Sequence, residues 1–274
     1  MSSDTVRDTS TLATLVGLTG KVAVVTGGGQ GLGLGIAQAL TAAGARVVVL
    51  DIDEALAVAA AASLGESAVG MAADVRDQAM LEAVVARIEA ELGPVSVWVN
   101  NVGGMAAAPP GPTIDLSADD LSRVLELNVT GTLLACQVAL RSMLAAGSGG
   151  AIVNVCSLQG VKASPHIAAY GLAKAAVAHL TQTLALEYAD RGVRVNAVAP
   201  SFVETPASSA FVTAERRAVS LAAIPLGFIS QPADVAGTVL ALASDLTRFV
   251  TGQLIVADGG LSLTTARPHR GQIG

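Results

Sequence analysis

Residues 21–33 read KVAVVTGGGQGLG. The first six, KVAVVT at 21–26, are a short β-branched run of the kind that forms a strand buried on both faces. Thr26-Gly27-Gly28-Gly29-Gln30-Gly31-Leu32-Gly33 then turn the chain into an Ala/Leu-rich stretch with helical spacing. Glycine in such a turn permits positive φ and lets backbone N–H groups approach a pyrophosphate, while the helix start supplies the positive end of its dipole. The last glycine lets the helix pack close to the strand. Gly27, Gln30, Gly31, Leu32 and Gly33 are therefore candidate phosphate-side residues. A dinucleotide site of this type wants a carboxylate about 20 residues on, bonded to the adenosine ribose hydroxyls. Asp51 stands there, at the end of the next apolar run, RVVVLD at 46–51. Asp53 is the rival ligand, but its place suits the cap of the following helix. A carboxylate at 51 repels a 2′-phosphate, and Gln30 and Ile52 supply no cation beside it. The expected cofactor is NAD rather than NADP.

The pattern set by these residues repeats along the chain. Short apolar runs recur at 21–26, 46–51, 67–72, 95–100, 151–156, 193–198 and 253–257, and helical patterns lie between them near 32–43, 54–64, 77–92, 117–146, 167–190 and 232–244. Strand–helix alternation with right-handed crossovers predicts an α/β fold: a single doubly wound, Rossmann-like parallel sheet of about seven strands with helices on both faces. Ser117 before Asp119 and Asp120, Gly93-Pro94 and Pro232 punctuate the helices as caps and stops do. The expected organisation is a loose polar arm at 1–17, one Rossmann-like domain at 18–262 and a polar tail at 263–274. Segment 103–114 is a Gly/Pro loop, and 200–230 reads as a long irregular stretch.

Composition agrees with one large core. The chain has 274 residues, 52% of them apolar and 14% charged, which excludes a disordered protein. A net charge of −6 without a basic run argues against nucleic acid as a partner. Cys136 and Cys156 fit neither a disulfide framework nor a metal cluster, and no histidine pair has metal-ligand spacing, so no metal is expected. The N-terminus lacks an apolar signal region, and the mean hydropathy of +0.60 is spread over short segments rather than a membrane span. The expected location is cytoplasmic.

Tyr170-Gly171-Leu172-Ala173-Lys174 places one of the two tyrosines four residues before a lysine, on one face of a helix. An ammonium near a phenol stabilises phenolate, so the pair predicts a Tyr170 pKa drawn down from about 10. With these residues assembled, the chain resembles the short-chain dehydrogenase/reductase family over about residues 18–262. The resemblance is carried by TGGGQGLG (26–33), Asp74-Val75, NNVG (100–103), Asn128, Ser157 thirteen residues before Tyr170, YGLAK (170–174), Pro200 with Thr205, and Asp258-Gly259-Gly260.

The resemblance implies a set of roles. Tyr170 would be the general acid/base, and Lys174 would lower its pKa and bond the nicotinamide ribose. Ser157 would bond the substrate oxygen, and Asn128 would hold a water linking Lys174 to solvent. Asp74 and Val75 would meet adenine, Asn101 would line the cofactor, and Val203 and Thr205 would meet the carboxamide. It also implies a homotetramer or homodimer through helices 117–146 and 167–190. The sequence departs from the family at Val102, where alanine is commoner, at Ser201, where glycine usually follows Pro200, and at Cys156, where serine is frequent. Gln159 is placed to face substrate. Phe202, Phe211, Leu221, Leu226 and Phe228 are candidates for a lid. The implied activity is hydride transfer between NAD(H) and a secondary alcohol or ketone. The alternatives are an NADPH-dependent 3-oxoacyl thioester reductase and a non-catalytic cofactor-binding regulator.

Overall fold

The computed structural model describes residues 11–209 and 213–263. Seven strands form one all-parallel sheet: β1 (Val22–Thr26), β2 (Arg46–Asp51), β3 (Ala68–Ala72), β4 (Val95–Asn100), β5 (Gly150–Val155), β6 (Val193–Pro200) and β7 (Leu254–Ala257), in the order β3-β2-β1-β4-β5-β6-β7. The order reverses between β1 and β4, and there the connections leave the sheet on opposite faces and open a crevice at the strand ends.

Side chains along each strand alternate between two cores. Val25, Val49, Val99 and Val153 face helices α2 (Gly31–Ala42), α3 (Glu54–Leu64) and α10 (Pro232–Ala243), where Ile36, Leu40, Ala57 and Val239 fill the layer. Val24, Val48, Trp98 and Ile152 face α4 (Gln78–Glu91), α6 (Gly131–Ala146) and α7 (Ala168–Tyr188), where Leu81, Ile88, Met143 and Leu184 complete it. Both faces are apolar, which is why the strands read as continuous rather than alternating runs.

A chain of buried polar side chains crosses the second core. Trp98 Nε1 donates to Asn100 Oδ1 (2.8 Å), Asn100 Nδ2 to Asn154 Oδ1 (2.9 Å), and Asn154 Nδ2 to Thr181 Oγ1 (2.9 Å). It ties β4 to β5 and β5 to α7. Among the described residues no buried side-chain nitrogen or oxygen lacks a partner.

The structure departs from the sequence reading in several places. The arm expected over 1–17 ends in a short helix, α1 (Leu12–Val16), capped by Thr11, whose Oγ accepts from Thr14 N. Residues 1–10 and the tail 264–274, with His269, lie outside the described residues. The run expected as one helix over 117–146 is α5 (Ala118–Leu125), a π turn (Glu126–Thr130) and α6. The cause is Asn128: its Nδ2 donates to Val124 O (2.8 Å), taking the carbonyl four residues back that a backbone N–H would otherwise use. By length and composition the whole run Ala118–Ala146 could cross a bilayer, yet half of its apolar window is buried inside the fold. The stretch 200–230 is not irregular throughout; it holds α8 (Pro206–Ser209) and α9 (Ala214–Ala223).

Asn154→Ala removes the middle of the polar chain, leaving Asn100 Nδ2 only the Cys136 sulfur and Thr181 only its bond to Val177 O in an apolar layer. It is expected to destabilise the fold by about 3 kcal/mol, read as a lower urea midpoint at unchanged slope.

Candidate active site

The crevice at the β1/β4 switch is a cleft of about 760 Å³. The turn after β1 forms one side. Gly27 and Gly31 adopt φ of +60° and +56°, and Gly31 opens α2 toward the cleft. A Cβ on Gly33 would lie 2.0 Å from Gly27 O and 2.6 Å from Asn101 Nδ2, so this position admits no side chain. Asn101 Nδ2 donates to Thr26 O (3.1 Å) and Gly27 O (3.0 Å), while Thr26 Oγ1 accepts from Asn101 N (3.0 Å). The two strand ends that flank the crevice are thereby joined.

Asp51 closes the far end. Its Oδ2 accepts from Gly29 N (3.1 Å) and its Oδ1 from Asp53 N (3.2 Å), so the glycine turn itself aims the carboxylate. Asp53 instead caps α3, its Oδ1 accepting from Ala55 N and Leu56 N. Asp74 and Val75 follow β3 onto the same wall. Asp74 is held by Arg76 through Nε (2.9 Å) and Nη2 (2.6 Å), and that bonding keeps its carboxyl below the usual range. The sequence reading found no cation beside the carboxylate end; folding brings Arg76 to the cleft wall.

At the other end Ser157, Tyr170 and Lys174 line the floor, with Val203 and Thr205 opposite. Thr205 and Ser208 bond reciprocally, N to Oγ in each direction (2.8 and 3.1 Å), which fixes the turn into α8. Asn128 does not line the cleft. It is fully buried behind the wall, where Oδ1 accepts from Gly104 N (3.0 Å) and Nδ2 donates to Gly104 O (2.8 Å). A Cβ on Gly103 would sit 2.6 Å from Lys174 Nζ and 2.7 Å from Asn128 Oδ1, so that glycine alone separates the two.

The electrostatics correct one expectation. Lys174 Nζ donates to Val155 O (3.0 Å) and lies 5.7 Å from the Tyr170 ring centroid. Tyr170 is not drawn below the ordinary phenol value. Burial raises it, and its hydrogen bond with Ser157 only partly offsets this. Desolvation brings buried Lys174 down to about 8. Burial likewise pushes the Cys156 thiol up to about 11, so it is protonated at neutral pH.

Sequence reasoning passed over Arg76, Gly104, Met105, Leu127 and Ser208, which also line the cleft. Only Ser208 left a local trace, as the second hydroxyl of a Thr-x-x-Ser spacing. Ser201 takes no positive φ; among the described residues the non-glycines that do are Ala106, Ala107 and His166. Of the lid candidates, Phe202 lines the cleft, whereas Leu226 and Phe228 line a separate apolar cavity of about 460 Å³. Phe211 lies outside the described residues. His166 and His179 are exposed.

The residues present fit a dinucleotide. Positive-φ glycines open a helix at one side, an oriented carboxylate stands at one end, and a hydroxyl–phenol–ammonium set stands at the other. Comparison with known proteins gives the same picture. Residues 27–262 match the family model described as enoyl-(acyl carrier protein) reductase. The chain is 39% identical over 200 residues to 3beta-hydroxysteroid dehydrogenase 1 of Eggerthella lenta, covering 73% of this chain and 76% of that protein. A short-chain type dehydrogenase/reductase from Mycobacterium marinum superposes with a TM-score of 0.85 at 32% identity, over 91% of this chain and 98% of that one. A gluconate 5-dehydrogenase from Burkholderia cenocepacia J2315, solved with NADP and tartrate, superposes with a TM-score of 0.86 at 32% identity, over 92% and 99%.

Lys174 generates a pH dependence of stability. The folded protein binds the lysine proton less tightly than the unfolded chain, whose value is about 10.4. Below about 8 the cost of the buried charge is carried in full, and stability rises as pH climbs from there toward the unfolded value. Lys174→Met is expected to melt higher than wild type at pH 7. The gap should narrow toward pH 10, as calorimetry at both pH values would show.

Proposed function

The chain belongs to the short-chain dehydrogenase/reductase family and is an oxidoreductase, and on that premise we propose that it uses NAD(H) to interconvert a secondary alcohol and its ketone, with Tyr170 as general acid/base. The observation that carries this reading is the convergence of Ser157, Tyr170 and Lys174 in the cleft whose far end is Asp51. The glycine turn and the start of α2 would hold the pyrophosphate, and Asp51 would accept from the adenosine ribose hydroxyls. Bound there, the nicotinamide supplies the two-electron chemistry.

The protein's own residues handle the proton. In the oxidative direction Tyr170 phenolate takes the alcohol proton; in the reductive direction its phenol returns a proton to the carbonyl oxygen. Ser157 bonds the same oxygen and orients it. Lys174, a cation below about pH 8, favours phenolate across the 5.7 Å gap and is placed to bond the nicotinamide ribose. Asn128 shapes the wall that seats Lys174 and would hold the water that links Lys174 to solvent. Asp74 and Val75 would hold the adenine, and Val203 and Thr205 the carboxamide.

The alternative is an NADPH-dependent reductase of 3-oxoacyl thioesters. Arg76 on the wall near Asp51 favours it, and the gluconate 5-dehydrogenase relative was solved with NADP. Against it, Arg76 is already bonded twice by Asp74, and the Asp51 carboxylate would repel a 2′-phosphate. Exposed Leu172 and Leu186 on α7 support assembly as a homotetramer or homodimer, and we read the protein as cytoplasmic.

Thermal-shift titration with NAD and NADP in parallel tests the cofactor: NAD alone is expected to raise Tm, and stabilisation by NADP alone would reverse the assignment. Tyr170→Phe is expected to bind NAD as wild type does, measured by fluorescence titration. It should lose turnover of secondary alcohols by about 10²-fold or more.

A further inference from the structure

Ser157 leaves β5 into a 3-10 turn, Leu158–Gly160, that is pressed onto the first turns of α7. A Cβ on Gly160 would lie 2.7 Å from the Lys174 carbonyl carbon, and one on Gly171 would lie 3.0 Å from Gln159 O. Gln159 is thus clamped by its backbone against the stretch of helix that carries Tyr170 and Lys174. Its side chain lines the cleft, and its Oε1 accepts the Ser157 hydroxyl proton. Its backbone N–H also reaches Ser157 Oγ (3.4 Å). An amide oxygen can only accept, so the serine proton points at Gln159. Tyr170 lines the same cleft, and the Ser157 hydroxyl acts on it in the direction that favours phenolate.

We propose that Gln159 is a positioning residue that sets the direction of the Ser157 hydroxyl, holding its proton so that the serine oxygen turns its lone pairs to Tyr170. The inference deepens the reading of Tyr170 as acid/base and rests on it. In the structure the Ser157 O–H runs to Gln159 Oε1, which leaves the serine oxygen only lone pairs to offer the neutral phenol. Ionised Tyr170 needs the opposite arrangement, because phenolate must receive the Ser157 proton. Gln159 therefore resists ionisation of Tyr170 until a substrate oxygen enters and takes both hydroxyls. The titratable groups facing the phenol are Lys174 on its own helix and the neutral Cys156 thiol at the end of β5.

The test needs no substrate, so it can fail independently of the proposed activity. The chain has two tyrosines, and Tyr188→Phe leaves Tyr170 as the only phenol. Its ionisation is followed by phenolate absorbance against pH, with circular dichroism reporting that the fold persists. Adding Gln159→Leu is expected to lower the Tyr170 midpoint by about half to one unit. Gln159→Glu keeps an acceptor and should leave the midpoint at or above that of the parent. Should Gln159→Leu fail to fold, Gln159→Met, similar in length and without the amide, carries the same comparison. A midpoint that stays or rises when the acceptor is removed, or that moves alike in the apolar and Glu variants, overturns the proposal.

Discussion

The bond between Asn101 and the Thr26–Gly27 turn governs the rest of the site. Two parallel strands whose connections leave on opposite faces have no loop to join their ends, so beyond the last rung of the β1–β4 ladder only side chains can link them. Asn101 bridges it with one amide to two carbonyls, and Thr26 returns the contact through its hydroxyl. The same amide lies where a Gly33 side chain would be. A glycine in the helix, an asparagine after β4 and a threonine ending β1 are therefore a single packing solution. The β1–β4 ladder fixes the register of the two strands, and this join carries that register past their ends to the helix start and the cleft.

The chemistry end is braced differently. Lys174 is a buried cation, which only hydrogen bonding makes tolerable. It is met by Val155 O from β5, and behind it Asn128 has spent its side chain on Gly104 and Val124. The π turn is the local cost of that arrangement, since one carbonyl is taken from the helix ladder to seat an amide in the wall. Backbone irregularity thus sits beside the most demanding electrostatics in the molecule.

The layers and the strand order's raw material were legible because burial on both faces forces continuous apolar runs, and Gly-Pro and Asp caps mark the helix ends. Asp53 could be told from Asp51 by its place alone, one residue before a helix. That Ser157, Tyr170 and Lys174 meet in one cleft was legible from their spacing together with the family resemblance. What escaped were effects that need three dimensions. Arg76 reaches the cleft because β3 pairs with β2, which no linear pattern near Asp51 records. The Tyr170 phenol is governed by burial more than by its neighbour four residues on, and helical spacing carries no measure of desolvation. Leu226 and Phe228 read as lid residues by composition, but the backbone after Phe202 carries them to the far side of Ser201.

The buried polar chain through Asn100, Asn154 and Thr181 begins at Trp98, the only tryptophan in the sequence and fully buried. Its indole N–H is fixed on Asn100, one residue before the asparagine that joins the switch-point strands. The protein therefore carries an intrinsic optical reporter at its centre. Its emission senses the β4 layer rather than solvent, so a change on ligand addition would mean that the sheet itself had adjusted, not that a loop had moved.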